Sequence, residues 1–162
     1  MLIGVMSDTH DNLPLIERAV ALLNEAQVGF VLHAGDYVAP FALAPLDELN
    51  CPWVGVFGNN DGEQKGLTRA SQGRIQPPPF ELNLDGKKVV VVHDLDGFDR
   101  DELLRGGTQL IVHGHTHRAD VERAGEALLV NPGEVGGWLH GRSSLALVDT
   151  ESMEATIEVL DG

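Results

Sequence analysis

The sequence predicts an α/β fold in which two mixed β-sheets pack face to face with helices outside, a four-layer αββα sandwich. Three observations predict it. Through the first half, strand-like apolar runs alternate with helical stripes, which suggests parallel strands. Through the second half, short strands follow one another across Gly-bearing turns, which suggests hairpins. The chain has 162 residues, a length that suits a single domain over 1–162 with one core.

The elements follow in order. Leu2 to Met6 is a short apolar run and reads as a buried strand. Asp11 or Asn12 can cap the next helix, with Pro14 tolerated in its first turn. Leu15, Ile16, Ala19, Val20, Leu22, Leu23 and Ala26 then recur at helical spacing to about residue 26, a stripe that belongs to the core. Phe30 to His33 is the second strand and stops at Gly35-Asp36. A helix is expected over about 40–49, with Pro40 and Pro45 against it. Trp53 to Phe57 is a strand ending at Gly58. Residues 62–78, rich in Gly, Gln and Arg and closed by three prolines, read as a surface loop with one helical turn at most. Phe80 to Leu84 and Lys87 to Val92 form a hairpin across Asp85-Gly86. A short helix over 99–105 and a strand over 110–113 follow, and then four strands near 119–123, 127–130, 144–149 and 154–160.

Composition narrows the function classes. Hydrophobic residues make up 43% and charged residues 22%, which excludes disordered and fibrous chains. No apolar run reaches the roughly 20 residues of a membrane span, so no membrane partner is expected. The opening Met1-Leu2-Ile3-Gly4-Val5-Met6 has no basic region before it and reads as a strand, not a signal peptide. Cys51 has no second cysteine to pair with, which fits a reducing cytoplasm. A net charge of −14 disfavours nucleic acid as a bulk partner. It permits a small phosphate-bearing substrate if bound divalent cations reverse the local field.

Polar residues cluster directly after apolar strands at five places. They are Asp8-Thr9-His10, Gly35-Asp36, Gly58-Asn59-Asn60-Asp61, His93-Asp94 and Gly114-His115-Thr116-His117. Ligands in open α/β sheets bind beyond the carboxyl ends of strands, so five such clusters can converge on one site. Asp8 and His10 are two apart, as are His115 and His117, and in an extended segment each pair points to one side. Gly35, Gly58 and Gly114 allow sharp turns and close backbone approach. Oxygen and imidazole donors without a thiolate suit Mn, Fe, Ni or Zn better than Ca or Mg.

Together these five segments resemble, in order, the signature of the calcineurin-like metallophosphoesterases. The run Ser7 to Asn12 and the later Asn131-Pro132-Gly133 resemble its small YfcE-type phosphodiesterase branch, to which the retromer subunit of the same fold is related. The resemblance covers essentially the whole chain. It implies two divalent transition-metal ions, manganese first, with nickel, iron or zinc as alternatives. One metal would take Asp8, His10, Asp36 and His117; the other would take Asp36, Asn59, His93 and His115. Asp36 would bridge them, and a metal-bridging hydroxide would attack phosphorus in line with the leaving oxygen. The implied activity is phosphoester hydrolysis of a small substrate, diesters before monoesters. The rival reading is an idle protein-binding scaffold of the same fold, against which stands a complete set of seven ligand positions.

Three positions depart from the family pattern. Asn60 stands where many members have a His that assists the leaving group, and an amide offers a hydrogen bond but no proton near neutral pH. Asp94 stands where Gly is usual, and Glu134 where Ser follows Asn-Pro-Gly. Neither of the last two is a ligand position. Asp61 reads either as a turn residue of Asp61-Gly62 or as support for Asn59 or Asn60. With Asp36 and Asn60 it completes the candidate catalytic set. Thr116 could brace the His pair through its hydroxyl. His33 and His113 read as structural, His140 and Arg142 as exposed loop residues, and Asp96, Asp99 and Asp101 as a solvated acidic face. Apolar residues of the C-terminal strands suit a homo-oligomer interface as readily as the core.

Overall fold

The computed structural model describes residues 1–160, so the last two residues of the expected domain lie outside the described residues. Among the described residues eleven strands are formed: β1 Leu2–Met6, β2 Phe30–His33, β3 Trp53–Val56, β4 Ile75–Gln76, β5 Phe80–Leu84, β6 Lys87–Val91, β7 Leu110–Val112, β8 Ala119–Ala124, β9 Ala127–Pro132, β10 Ser144–Asp149 and β11 Glu154–Val159. Three α-helices accompany them: α1 Leu13–Glu25, α2 Gln64–Ala70 and α3 Arg100–Leu104.

One sheet has the order β11-β10-β1-β2-β3-β4 and the other β5-β6-β7-β9-β8. Strands β1 to β4 are parallel neighbours, and β10 closes on β1 antiparallel. In the second sheet the outer pairs β5/β6 and β8/β9 are hairpins, but β6, β7 and β9 run parallel at the centre. The hairpin reading of the second half missed this, because α3, the helix in the β6–β7 crossover, is only five residues long. The hairpin β10/β11 belongs to the first sheet, so the end of the chain returns to its beginning.

Period-two alternation builds the layers. Val89, Val91, Leu110, Val112, Leu128 and Val130 face Ile3, Val5, Leu32 and Val56 of the opposite sheet. Their neighbours Val90, Ile111 and Leu129 face outward and pack with Leu103 of α3. On the other side Ile16, Ala19, Val20 and Leu23 of α1 cover Met6, Val31 and Trp53. The result is the four-layer αββα sandwich.

Three local readings need correction. Residues Pro40–Glu48 form a 3-10 helix, not an α-helix, since Pro45 lacks an N–H and crowds the carbonyl four residues back. The stretch read as loop holds α2 and β4; α2 buries only Leu67, so it left no apolar period to find. Asn12 occupies the cap position of α1, but its amide donates to the Gly136 carbonyl at 2.8 Å instead of accepting from the helix. That bond links the first helix to the loop between β9 and β10.

Candidate metal centre

The carboxyl ends of β1, β2 and β3 in one sheet and of β6 and β7 in the other meet at one edge of the sandwich. The five polar clusters follow those ends, and the structure brings the seven candidate ligands together there. One group comprises Asp8, His10, Asp36 and His117, whose donor atoms all lie within 4.8 Å of one another. His10 Nε2 stands 3.2 Å from Asp36 Oδ2, and His117 Nε2 stands 3.2 Å from Asp8 Oδ1. The second group comprises Asn59, His93 and His115. Asn59 Oδ1 lies 2.9 Å from His93 Nε2 and 3.1 Å from His115 Nδ1, and the two imidazole nitrogens are 3.3 Å apart. Asp36 joins the groups, since its Oδ2 is also 3.4 Å from His93 Nε2.

The backbone that presents these groups is not extended. Asp8, His10, Asp36, His115 and His117 all adopt positive φ, between 41° and 70°. Left-handed backbone costs a non-glycine residue about 1–2 kcal/mol. Each pair therefore converges through tight turns and not through strand-like alternation, which corrects the extended reading of 8–10 and 115–117. Glycines make room at two points. A methyl group at Gly58 would run into Asp36 Oδ1, and one at Gly114 would run into Ser7 Oγ.

A layer of polar side chains holds the turns. Asp61 is buried and accepts from the backbone N–H groups of Asp36, Val38 and Gly58 at 2.9, 2.8 and 2.7 Å. It thus secures the Asp36 loop against Gly58, not Asn59 or Asn60. Asn60 donates from its backbone N and its amide to the two oxygens of Asp36, each at 2.9 Å. His93 Nδ1 sits 2.8 Å from the Ala34 carbonyl, which turns its Nε2 toward the cluster. Asn131 donates to the Gly114 carbonyl and to Thr116 Oγ1, bracing the turn that carries His115 and His117. Thr116 therefore acts through Asn131. Asp94 lies 3.8 Å from His115 Nε2 at the open rim. Glu134 reaches His117 Nδ1 at 2.6 Å, although it is not a ligand position and the sequence offered no sign of the contact.

His33 is structural: its ring stacks on Tyr37, bonds Thr9 Oγ1 and accepts from Gly35 N. Complete burial pulls its pKa down to about 3, so it stays neutral. His113 is buried and likewise pulled down by desolvation. His140 and Arg142 are exposed.

The electrostatics favour cations. Burial opposes ionisation of Asp8 and Asp36, yet the adjacent imidazoles of His10, His117 and His93 outweigh it and hold both carboxyls well below their usual range. In turn His10 is raised to about 10, by Asp36 first and then Asp8. In His93 burial works the other way but the neighbouring Asp36 carboxylate prevails, and in His117 the Asp8 carboxylate leads; both pKa values rise. Protons thus gather where metal ions would balance the same carboxylates. Asp8 Oδ1 and His10 Nε2 are buried without any hydrogen-bond partner. An orphaned carboxylate oxygen facing an orphaned imidazole nitrogen is costly unless a cation joins them. The donor set of oxygen and imidazole nitrogen fits a divalent transition metal.

Known proteins match nearly the whole chain. The calcineurin-like phosphoesterase superfamily domain matches residues 1–153. The phosphodiesterase MJ0936 of Methanocaldococcus jannaschii is 32% identical over 166 residues, covering 99% of this chain and all of the relative. Among solved structures, an archaeal phosphodiesterase superposes with a TM-score of 0.88 at 33% identity, covering 99% of this chain and 100% of that one. The phosphoesterase YfcE from E. coli has a TM-score of 0.76 at 22% identity, with 99% and 100% covered, and so shares the fold.

Proposed function

Because the chain belongs to the calcineurin-like phosphoesterase superfamily, we propose that it is a metal-dependent phosphodiesterase with a dinuclear centre. The observation that carries the proposal is the shared carboxylate. Asp36 Oδ2 lies within 3.4 Å of imidazole nitrogens from both ligand groups. Asp8, His10, Asp36 and His117 would hold one ion, and Asp36, Asn59, His93 and His115 the other. When bound, the ions would lower the pKa of water and neutralise phosphoryl oxygens, with manganese expected first.

The residues of the chain supply the rest. Asp61 keeps the Asp36 loop closed, and Asn60 fixes both oxygens of Asp36, so the shared ligand is preorganised before substrate arrives. The exposed side chains of Asn59 and His115 mark the side by which a small phosphodiester enters. No helix among the described residues is long and apolar enough to cross a membrane, and we expect the enzyme to act in the cytoplasm.

The deciding experiment is metal analysis of purified protein together with hydrolysis of bis(p-nitrophenyl) phosphate under added Mn, Ni, Zn or Mg. Metal-dependent turnover is expected. Metal uptake without turnover would favour the idle scaffold, and no uptake would overturn the site altogether.

A further inference from the structure

We infer that Glu134 is a positioning residue that fixes the tautomer of His117 and aims its Nε2 into the metal centre. The inference rests on the ligand role proposed above for His117. It starts from an oddity. Glu134 is fully buried, as few carboxylates are, and sits at the start of the Gly-rich loop after β9. Its Oε2 lies 2.6 Å from His117 Nδ1. Its Oε1 accepts from the backbone N–H of His140 at 2.8 Å and of Leu139 at 3.1 Å, and Oε2 is 3.3 Å from the same Leu139 N–H.

An ionised carboxylate only accepts hydrogen bonds. Backbone N–H groups approach both oxygens of Glu134, so each serves as an acceptor and Nδ1 of His117 carries the ring proton. The lone pair is then left on Nε2, which points at Asp8 Oδ1, 3.2 Å away. A second bond of the same loop supports the reading. Trp138 Nε1 donates to the His10 carbonyl at 3.1 Å. The loop after β9 therefore grips both imidazole-bearing segments of the inner group, one through a side chain and one through the backbone.

The arrangement has a sharp chemical requirement: both ends of the side chain at 134 must accept. Glutamine fails it. If the Gln carbonyl takes the Leu139 and His140 donors, its NH2 faces His117 and stabilises the tautomer protonated at Nε2. If the carbonyl faces His117, the NH2 confronts two N–H groups.

The test is zinc affinity measured by chelator competition on wild type, Glu134→Gln and Glu134→Ser, with far-UV circular dichroism to establish folding. Both variants are expected to bind zinc about ten- to a hundredfold more weakly, with Glu134→Gln the weaker, since serine leaves Nδ1 free to bond water. Long-range 1H–15N spectra of zinc-loaded wild type should show His117 protonated at Nδ1, a readout that needs no variant to fold. A folded Glu134→Gln that binds zinc as tightly as wild type would overturn the inference while leaving the metal centre intact, and a loaded His117 protonated at Nε2 would overturn it and also remove His117 from the ligand set. Wild type that takes up no zinc or manganese would remove the proposed function and this inference together.

Discussion

The two ligand groups use the same kinds of side chain but are built differently. In the inner group, Asp8 and Asp36 are buried, and His10 and His117 expose 18% and 12% of their side chains. All four adopt left-handed backbone. Ser7 Oγ and the His115 backbone N–H bond the far oxygen of Asp8, and Glu134 and Trp138 hold the two imidazole segments. In the outer group, His93 is equally anchored through Ala34, but His115 exposes 40% of its side chain and Asn59 is exposed. The difference lies in when organisation is paid for. The inner group is set during folding, against a strain of about 1–3 kcal/mol per unusual backbone residue. In the proposed dinuclear centre the outer group would have to fix the exposed Asn59 and His115 when an ion bound. On that proposal two unequal affinities are expected, a tight inner step and a labile outer one.

Asp36 belongs to both groups, so its loss should have the largest effect. In the proposed centre Asp36→Ala would remove a ligand from each ion and should lower diester turnover about a thousandfold or more, as several kcal/mol of electrostatic stabilisation disappear. Steady-state hydrolysis of bis(p-nitrophenyl) phosphate measures this. Activity within about tenfold of wild type would place the shared ligand elsewhere.

Next in size is the contrast between the groups. His117→Ala should weaken the tight binding step about a hundredfold, and His115→Ala should weaken only the loose step, about tenfold. Calorimetric titration of metal-stripped protein resolves the two steps. Equal losses in the same step would erase the distinction between inner and outer.

What the sequence revealed and what it concealed divide along physical lines. The five polar clusters were legible because each follows an apolar strand, and strand ends in such sheets converge, while the choice of seven candidate ligands among them came from the family resemblance. The groups that hold them were not legible. Glu134 reaches His117 only because a Gly-rich loop folds back, and no periodic pattern announces such a turn. Asp61 looked like half of an Asp-Gly turn, but its backbone partners at Asp36 and Val38 are more than 20 residues away in sequence. The alternation rule applied to 8–10 and 115–117 failed because strained turns replace extended chain there. For the fold, strands with strict alternation were found to within a few residues, while α2, with one buried apolar side chain, was not.

A smaller effect sharpens the electrostatic side of the comparison. In the folded chain without metal, His10 is raised from 6.5 to about 10 by Asp36 and Asp8. A raised folded pKa stabilises fully below the unfolded value and loses that contribution as pH climbs through the folded value. The melting temperature of metal-stripped protein should therefore fall between pH 6.5 and about 10, by on the order of 5 °C. Bound metal displaces those protons, so the loaded protein should show a flatter profile over the same range. Thermal melts with and without chelator measure both curves. Identical slopes would mean that the inner histidines do not hold protons in the place of metal.

The smallest expected effect concerns Asn60, which lies at the open side yet faces inward. Its amide is engaged with Asp36 Oδ2 and carries no proton to give a departing alkoxide near neutral pH. Cleavage should then follow leaving-group acidity, with bis(p-nitrophenyl) phosphate hydrolysed well and alkyl phosphates poorly. If Asn60 works only by holding Asp36, Asn60→Ala should slow both substrate types by the same factor, about three- to tenfold, the net worth of one typical hydrogen bond. A loss confined to alkyl esters would instead place the amide on the leaving oxygen during reaction. Comparing kcat for the two esters in wild type and variant separates these cases, because a loosened shared ligand acts before the leaving group is distinguished.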